Sequence, residues 1–207
     1  MIEKINISKI VFVTLLVVIT CSAHITVQGQ QRFKAAAVLG GNFSQIDGDD
    51  IAGYDKLGLS GGFKVDYPVR DNVDASLEML YNAKGSTPNF AGSLGLTMQY
   101  LDVPLTISIK DWYQAEADYH KVSAHAGLSL GYLFGVSSSN PSFSNDLSNY
   151  NQVDFGYLLG VSYRFTKRLG LTIRHTRAFT NLLATPDPGD DRRAVGYFVT
   201  ARTEFYF

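Results

Sequence analysis

Apolar residues recur at every second position in eight stretches of the chain. Phe33, Ala35, Ala37 and Leu39 form the first and weakest stretch. In the second, Leu57, Leu59, Gly61, Phe63, Val65 and Tyr67 alternate with Lys56, Ser60, Gly62, Lys64 and Asp66. The third sets Val73, Ala75, Leu77, Met79 and Tyr81 against Asp74, Ser76, Glu78 and Asn82. The fourth sets Leu101, Val103, Leu105, Ile107 and Ile109 against Asp102, Thr106 and Ser108. In the fifth, Val122 to Phe134 alternate with Lys121, Ser123, His125, Gly127, Ser129 and Gly131. Val153 to Phe165 and Leu169 to Phe179 give two more. The last runs to the end of the sequence. Val195, Tyr197, Val199, Ala201, Thr203, Phe205 and Phe207 lie on one face, with Gly196, Thr200, Arg202 and Glu204 on the other. Phe198 and Tyr206 stand near the ends of that second face. A period of two is the signature of a β-strand with one greasy and one polar side.

Strands of this kind are hazardous unless both edges are paired, and closing the sheet into a barrel removes the edges. The connections alternate as well. Residues 69–72 and 166–168 read as tight turns, and 110–118 as a longer one. Residues 43–55, 85–95, 137–152 and 181–194 read as long loops rich in Gly, Ser, Asn, Asp and Pro. The fold expected is therefore all-β, an eight-stranded antiparallel up-and-down barrel with long loops at one end. An even strand count with long loops outside and short turns in the periplasm is the outer-membrane pattern. Pro104, inside the fourth strand, cannot donate to a ladder, which predicts a β-bulge there.

Alternation alone does not say which face is outside, so a soluble carrier of greasy ligands competes with a membrane barrel. Three features favour the membrane. On the apolar face Tyr67, Tyr163, Phe165, Phe205 and Phe207 gather at the short-turn end, with Trp112 and Tyr113 beside them. Tyr81, Tyr132, Phe134, Phe155, Tyr157, Phe179 and Tyr197 gather at the long-loop end. Two aromatic girdles around an aliphatic band mark two bilayer interfaces. The opposite face carries Lys64, Glu78, Asp102, His125, Arg174 and Arg202, a poor lining for a greasy ligand. No closing helix follows the last strand.

Composition adds limits. At 207 residues the chain suits one domain, and 45% hydrophobic residues argue against disorder. The formal charge of −1 offers no basic footprint for nucleic acid. Lys4 and Lys9 precede an apolar run from Ile10 to Ile19, too short to span a bilayer, which reads as a signal peptide over residues 1–29. Cleavage is expected after Gly29, with Ala23 the alternative, leaving residues 30–207 as the barrel domain. The loss of Glu3, Lys4 and Lys9 takes the charge to −2. Cys21, the one cysteine, leaves with the signal, unless it is a lipoprotein cysteine after Val18-Ile19-Thr20.

Several segments resemble PorT-like outer-membrane barrels: Gly40-Gly41-Asn42-Phe43-Ser44, the acidic Asp47-Gly48-Asp49-Asp50, and Gly62-Phe63. Glu78-Met79-Leu80-Tyr81-Asn82-Ala83-Lys84-Gly85 and Tyr100-Leu101-Asp102-Val103-Pro104-Leu105 extend the likeness. The resemblance implies a Gram-negative outer membrane and leaves the role largely undefined. The family's namesake is tied to secretion of cell-surface proteins, a role that fold alone does not transfer.

Candidate chemistry is sparse. Asp47, Asp49, Asp50 and Asp55 could hold a calcium ion, but the spacing lacks the bidentate Glu of an EF-hand loop. His175 with Asp187, Asp190 and Asp191 suggests a protease site only weakly, because His175 sits where a strand leaves the bilayer. Ser123, His125 and Ser129 share one face without an evident carboxylate or oxyanion hole. Gly127, Gly131, Gly156 and Gly160 read as room for long charged side chains opposite them, and not as a phosphate loop. No catalytic, metal or cofactor residue is assigned. The partners expected are outer-membrane lipid, the barrel assembly machinery through the C-terminal strand, and an unidentified surface or periplasmic protein. The function expected is non-catalytic, structural or interactive, with a lumen- or loop-based hydrolase as the alternative. Glu78 is expected to pair with at least one of Lys64, Arg174 and Arg202, because a lone buried carboxylate costs several kcal/mol.

Overall fold

Eight strands form where the alternation predicts them, and they close on themselves. The computed structural model describes residues 33–47, 56–87, 95–139, 144–183 and 195–207. Its strands are β1 (Lys34–Asp47), β2 (Lys56–Arg70), β3 (Val73–Ser86), β4 (Leu96–Gln114), β5 (Tyr119–Ser138), β6 (Val153–Arg164), β7 (Leu169–Ala178) and β8 (Val195–Tyr206). Each pairs antiparallel with its sequence neighbours, and β1 pairs with β8 from Ala36·Tyr206 to Asp47·Val195. Every strand edge therefore has a partner, which satisfies the backbone polar groups of a sheet that crosses hydrocarbon. A short 3-10 turn, Leu147–Asn149, is the one helical element among the described residues.

Alternation becomes burial. On β8, Phe198, Thr200, Arg202, Glu204 and Tyr206 point inward and are buried, while Phe205 is half exposed and Phe207 is 83% exposed. The outer face carries an aliphatic band that includes Leu39, Leu59, Leu77, Leu105, Ile107, Leu128, Leu159, Val161 and Ile173, all exposed. Aromatics flank it at both ends. Phe33 meets Tyr67, and Tyr163 meets Phe165, at the short-turn end; Tyr81 meets Phe134, and Phe179 meets both Phe155 and Tyr157, at the other. A soluble carrier would place this surface inside, so that alternative is set aside.

Three expectations need correction. The strands reach further than the hydrophobic period suggests. Loop 43–55 loses its first residues to β1, and loop 85–95 gives up its start to β3. The turn expected at 110–118 shrinks, because β4 continues to Gln114 and β5 begins at Tyr119. Residues 137–152 are also not all loop, since β5 ends at Ser138 and the Leu147–Asn149 turn sits within them. The reason is visible in Asn42 and Ser44, whose polar side chains face inward and reach past β2 to bond with β3, so a stretch without an apolar period is still strand.

Pro104 makes no bulge. The β3–β4 register is the same on both sides of it, Leu77·Leu105 and Leu80·Asp102, and Pro104 pairs in register with Ser129 of β5. The ladder toward β3 simply lapses opposite Glu78 and Met79, where a proline has no N–H to give. The bulge lies elsewhere. Tyr100 pairs with Leu133 and Gln99 with Gly135, so Phe134 is the extra residue. One inserted residue switches the face of everything after it.

The glycine expectation holds for two of four positions. A Cβ at Gly131 would collide with the Asp102 carboxylate, and one at Gly160 with the His125 ring. At Gly127 and Gly156 it would instead strike neighbouring backbone, the carbonyls of Leu105 and Arg177.

Candidate functional site

The side chains that could carry function meet inside the barrel, and they sort into layers along its axis. The middle layer centres on Glu78 of β3, which is 1% exposed. Its carboxylate receives two N–H groups from Arg174 of β7, at 2.9 and 2.7 Å, and two from Arg202 of β8, at 2.8 and 2.7 Å. Two planar forks on one carboxylate satisfy its lone pairs, the arrangement that suits guanidinium and not ammonium. Arg202 also donates to Glu204 at 3.1 Å. Glu204 further accepts from Thr172 at 2.8 Å, Tyr206 at 2.6 Å and Lys64 at 3.2 Å.

Lys64 pairs with Glu78 in the β2–β3 register, yet its ammonium turns to Glu204 and to Asp66, 3.4 Å away. Arg164 completes the lower layer, its guanidinium carbon 3.7 Å from the centre of the Tyr206 ring and a nitrogen 3.8 Å from Asp66. Lys110 and Asp74 meet at 2.6 Å at the short-turn end. Toward the loops, Lys84 lies 2.8 Å from Asp102 and stands over the rings of Tyr100 and Phe198, at 4.3 and 4.4 Å. Asp102 accepts from Asn82, which accepts from Asn42, which in turn accepts from Thr200. The inward ion pairs use six cations and six carboxylates among the described residues, so the lumen carries no net charge from them.

Above the charges the interior turns apolar. Ile46, Leu96, Met98, Tyr100, Leu133, Tyr150 and Leu182 form one buried cluster, with Val136, Leu147 and Leu183 against it. Tyr150 bridges to Leu183, and the Asn151 N–H donates to the Leu182 carbonyl at 2.9 Å. The segment around 147–152 thus folds back over the mouth. Sequence reasoning missed this layer. Its members are scattered over strand ends and loops, with no shared period to reveal them.

Free space inside is slight. Between Asn82, Asp102, Arg174, Thr200 and Arg202 lies a void of about 10 Å³. Ser60 Oγ, Asp102 Oδ1 and Arg202 Nε border it without a protein partner. A polar space of that size suits one ordered water.

The hydrolase candidates do not assemble among the described residues. His125 Nε2 accepts from Arg174 Nε at 3.2 Å, and neither Ser123 nor Ser129 hydrogen-bonds to it. A general base needs a carboxylate to orient it and a free lone pair for the nucleophile; here the lone pair is already taken by a cation. His175 points outward, its ring 6.5 Å from that of Tyr157. Asp187, Asp190 and Asp191, the acidic residues 48–55 and the side chain of Asp47 lie outside the described residues, as does the segment 1–29 with Cys21.

The chain is similar, at low identity, to several proteins of solved structure. Among solved structures, Neisserial surface protein A is 14% identical, with a TM-score of 0.48, covering 84% of this chain and 97% of its own. Ail of Yersinia pestis, solved with a heparin analogue, is 12% identical at a TM-score of 0.48, covering 85% and 99%. The N-terminal barrel domain of Pseudomonas aeruginosa OprF is 13% identical at 0.42, covering 87% and 100%. No curated protein matches the sequence. The sequence profile of one family does match, over residues 28–184. The chain belongs to the outer membrane protein β-barrel domain family.

Proposed function

We propose that this protein is a closed, non-conducting outer-membrane barrel that acts through its loop-end surface, in a structural or interaction role. The observation that carries the reading is the Glu78 carboxylate gripped by Arg174 and Arg202 from the opposite wall. Eight strands enclose an interior about wide enough for side chains to fill. A bidentate double clamp across that interior, balanced in charge, leaves an ion neither a path nor an electrostatic reason to enter. The apolar cluster nearer the loops adds a second barrier, because a dry constriction disfavours a hydrated ion.

The proposed orientation has the long connections outside the cell and the short turns, with both mature termini, in the periplasm; the usual pattern of outer-membrane barrels, long loops outside and short turns inside, supports it. The signal peptide over 1–29, lipid contact through the exposed belt, and recognition of the β8 strand by the assembly machinery complete the proposal. A PorT-like kinship is supported by the segments quoted above and leaves the partner undefined. The hydrolase alternative is disfavoured by the Arg174 contact to His125.

Two measurements test this. Purified protein in a planar bilayer should give no stable single-channel steps, and steady unit currents would overturn the closed lumen. An epitope placed within 137–152 should be labelled on intact cells, and one at 70–72 should not; the reverse would invert the topology.

A further inference from the structure

On the outer wall, one row of paired residues near the loop end breaks the apolar pattern. Tyr157 of β6 pairs with Arg177 of β7, Arg177 pairs with Tyr197 of β8, and Tyr197 pairs with Gln45 of β1. All four side chains fall on the outward face of their strands, and Arg177 is exposed. One pair below, His175 sits between Leu159 and Val199. Phe179 packs beside Tyr157 at 5.4 Å and Phe155 at 5.7 Å. Apart from Arg70, the last residue of β2, Arg177 is the one Lys or Arg that alternation places outward among the described strand residues.

A guanidinium on the lipid-facing wall is costly at mid-membrane and tolerable only near an interface. It stands in the aromatic girdle, where lipid head groups begin. By register its neighbours on that face are Tyr157 and Tyr197 on the flanking strands and His175 one pair below. A planar fork flanked by hydroxyl donors is the chemistry that recognises a phosphate oxygen pair. We propose that Arg177, with Tyr157, Tyr197, Gln45 and His175 around it, binds the phosphate of a membrane lipid in the leaflet that surrounds the loop-end half of the barrel. That this is the outer leaflet rests on the loops-outside orientation proposed above. The ligand class is a phosphorylated glycolipid, with its acyl chains lying on Leu159, Val161 and Ile173 below.

The test uses the purified mature protein in detergent, titrated with diphosphoryl lipid A, with its enzymatically dephosphorylated form, and with phosphatidylcholine, read by native mass spectrometry. Diphosphoryl lipid A should be retained by the wild type and lost about tenfold by Arg177→Gln, the size of one charge-assisted contact. Arg177→Lys should recover part of that loss, and Tyr157→Phe with Tyr197→Phe should lose less than Arg177→Gln. Arg70→Gln, at the opposite rim, should bind like the wild type. Heat-modifiable mobility on a gel confirms that each variant is folded. Equal retention by Arg177→Gln, or equal binding of the dephosphorylated lipid, overturns the site. Full displacement by millimolar inorganic phosphate would assign the pocket to a free anion and overturn the lipid. Detergent binding does not depend on orientation. A lipid bound through Arg177 in a protein whose 137–152 epitope is unlabelled on cells would therefore refute the outer leaflet and leave the site standing.

Discussion

Two layers of the same lumen are equally buried and held by different physics. Around Glu78 the contacts are between ions on opposite walls, β3 against β7 and β8. Around Leu133 they are between apolar side chains, and they recruit Tyr150 and Leu182 from the loops. Hydrophobic contact is non-directional and accepts whatever shape fills the space. Charge-assisted hydrogen bonds demand one geometry, and a misplaced partner leaves an unpaired ion. The middle layer therefore fixes which residues face one another across the lumen. The upper layer ties the strand ends to the loops. The directional interactions thus lie where strand pairs with strand on all sides, and the tolerant packing lies where strand gives way to loop.

The sharpest way to break this distinction is to remove one partner from the middle layer. Glu78→Leu leaves Arg174 without a carboxylate and Arg202 with Glu204 alone, and should destabilise the folded barrel by about 3–5 kcal/mol, read from urea unfolding in vesicles. A loss under about 1 kcal/mol would mean that water, and not Glu78, satisfies the arginines. Leu133→Ala should cost nearly as much, about 2–4 kcal/mol, by leaving a cavity in the upper layer. Its signature is different: hydrogen exchange should rise at 147–152 and stay unchanged near Arg202. Uniform loosening of both layers would erase the boundary between them.

Replacing the pair together sharpens the contrast. Glu78→Met with Arg174→Met keeps the lumen neutral and leaves Arg202 with Glu204, so most of the loss from Glu78→Leu should be recovered, to within about 2 kcal/mol of the wild type. If the double variant is as unstable as the single one, the layer depends on the complete clamp. Pro104→Ala is expected to do least. It restores an N–H toward β3, so stability should change by less than about 1 kcal/mol, with new exchange protection at residue 104. A large loss would show that the gap in the ladder is required by Glu78 beside it.

Much of this was legible from the sequence for a simple reason. A period of two fixes faces, so Lys64, Arg174 and Arg202 stand as the expected partners of Glu78, and the two arginines take that role. Lys64 pairs with Glu204 instead, a choice that depends on the reach of a flexible ammonium, which no spacing reveals. The early ends assigned to β1 and β3 had a physical cause as well. Gly40, Gly41 and Asn42, like Gly85, have the composition of turns, and their place in the ladder is set by partners far along the chain. Phe134 reads as one more outward aromatic, yet its bulge is what turns Val136 toward the apolar cluster. The cluster itself draws on Ile46, Tyr150 and Leu182, which share no segment, and only closure brings them together. The outward row from Tyr157 to Gln45 was hidden likewise, since it crosses four strands.

The clamp on Glu78 also bears on how the chain is put together. Glu78 lies 96 residues from Arg174 and 124 from Arg202, so neither cation can reach it until the final hairpin is in place. A sheet of β1 to β6 would hold that carboxylate without its partners, and a dry apolar environment would make such an intermediate unfavourable. The entropic cost of so long a loop must be met before the contact forms. Joining β8 to β1 and neutralising Glu78 are therefore expected to be a single cooperative event. A barrel that has not closed keeps an unmatched charge at its centre and can fall open again. One that has closed is latched from within.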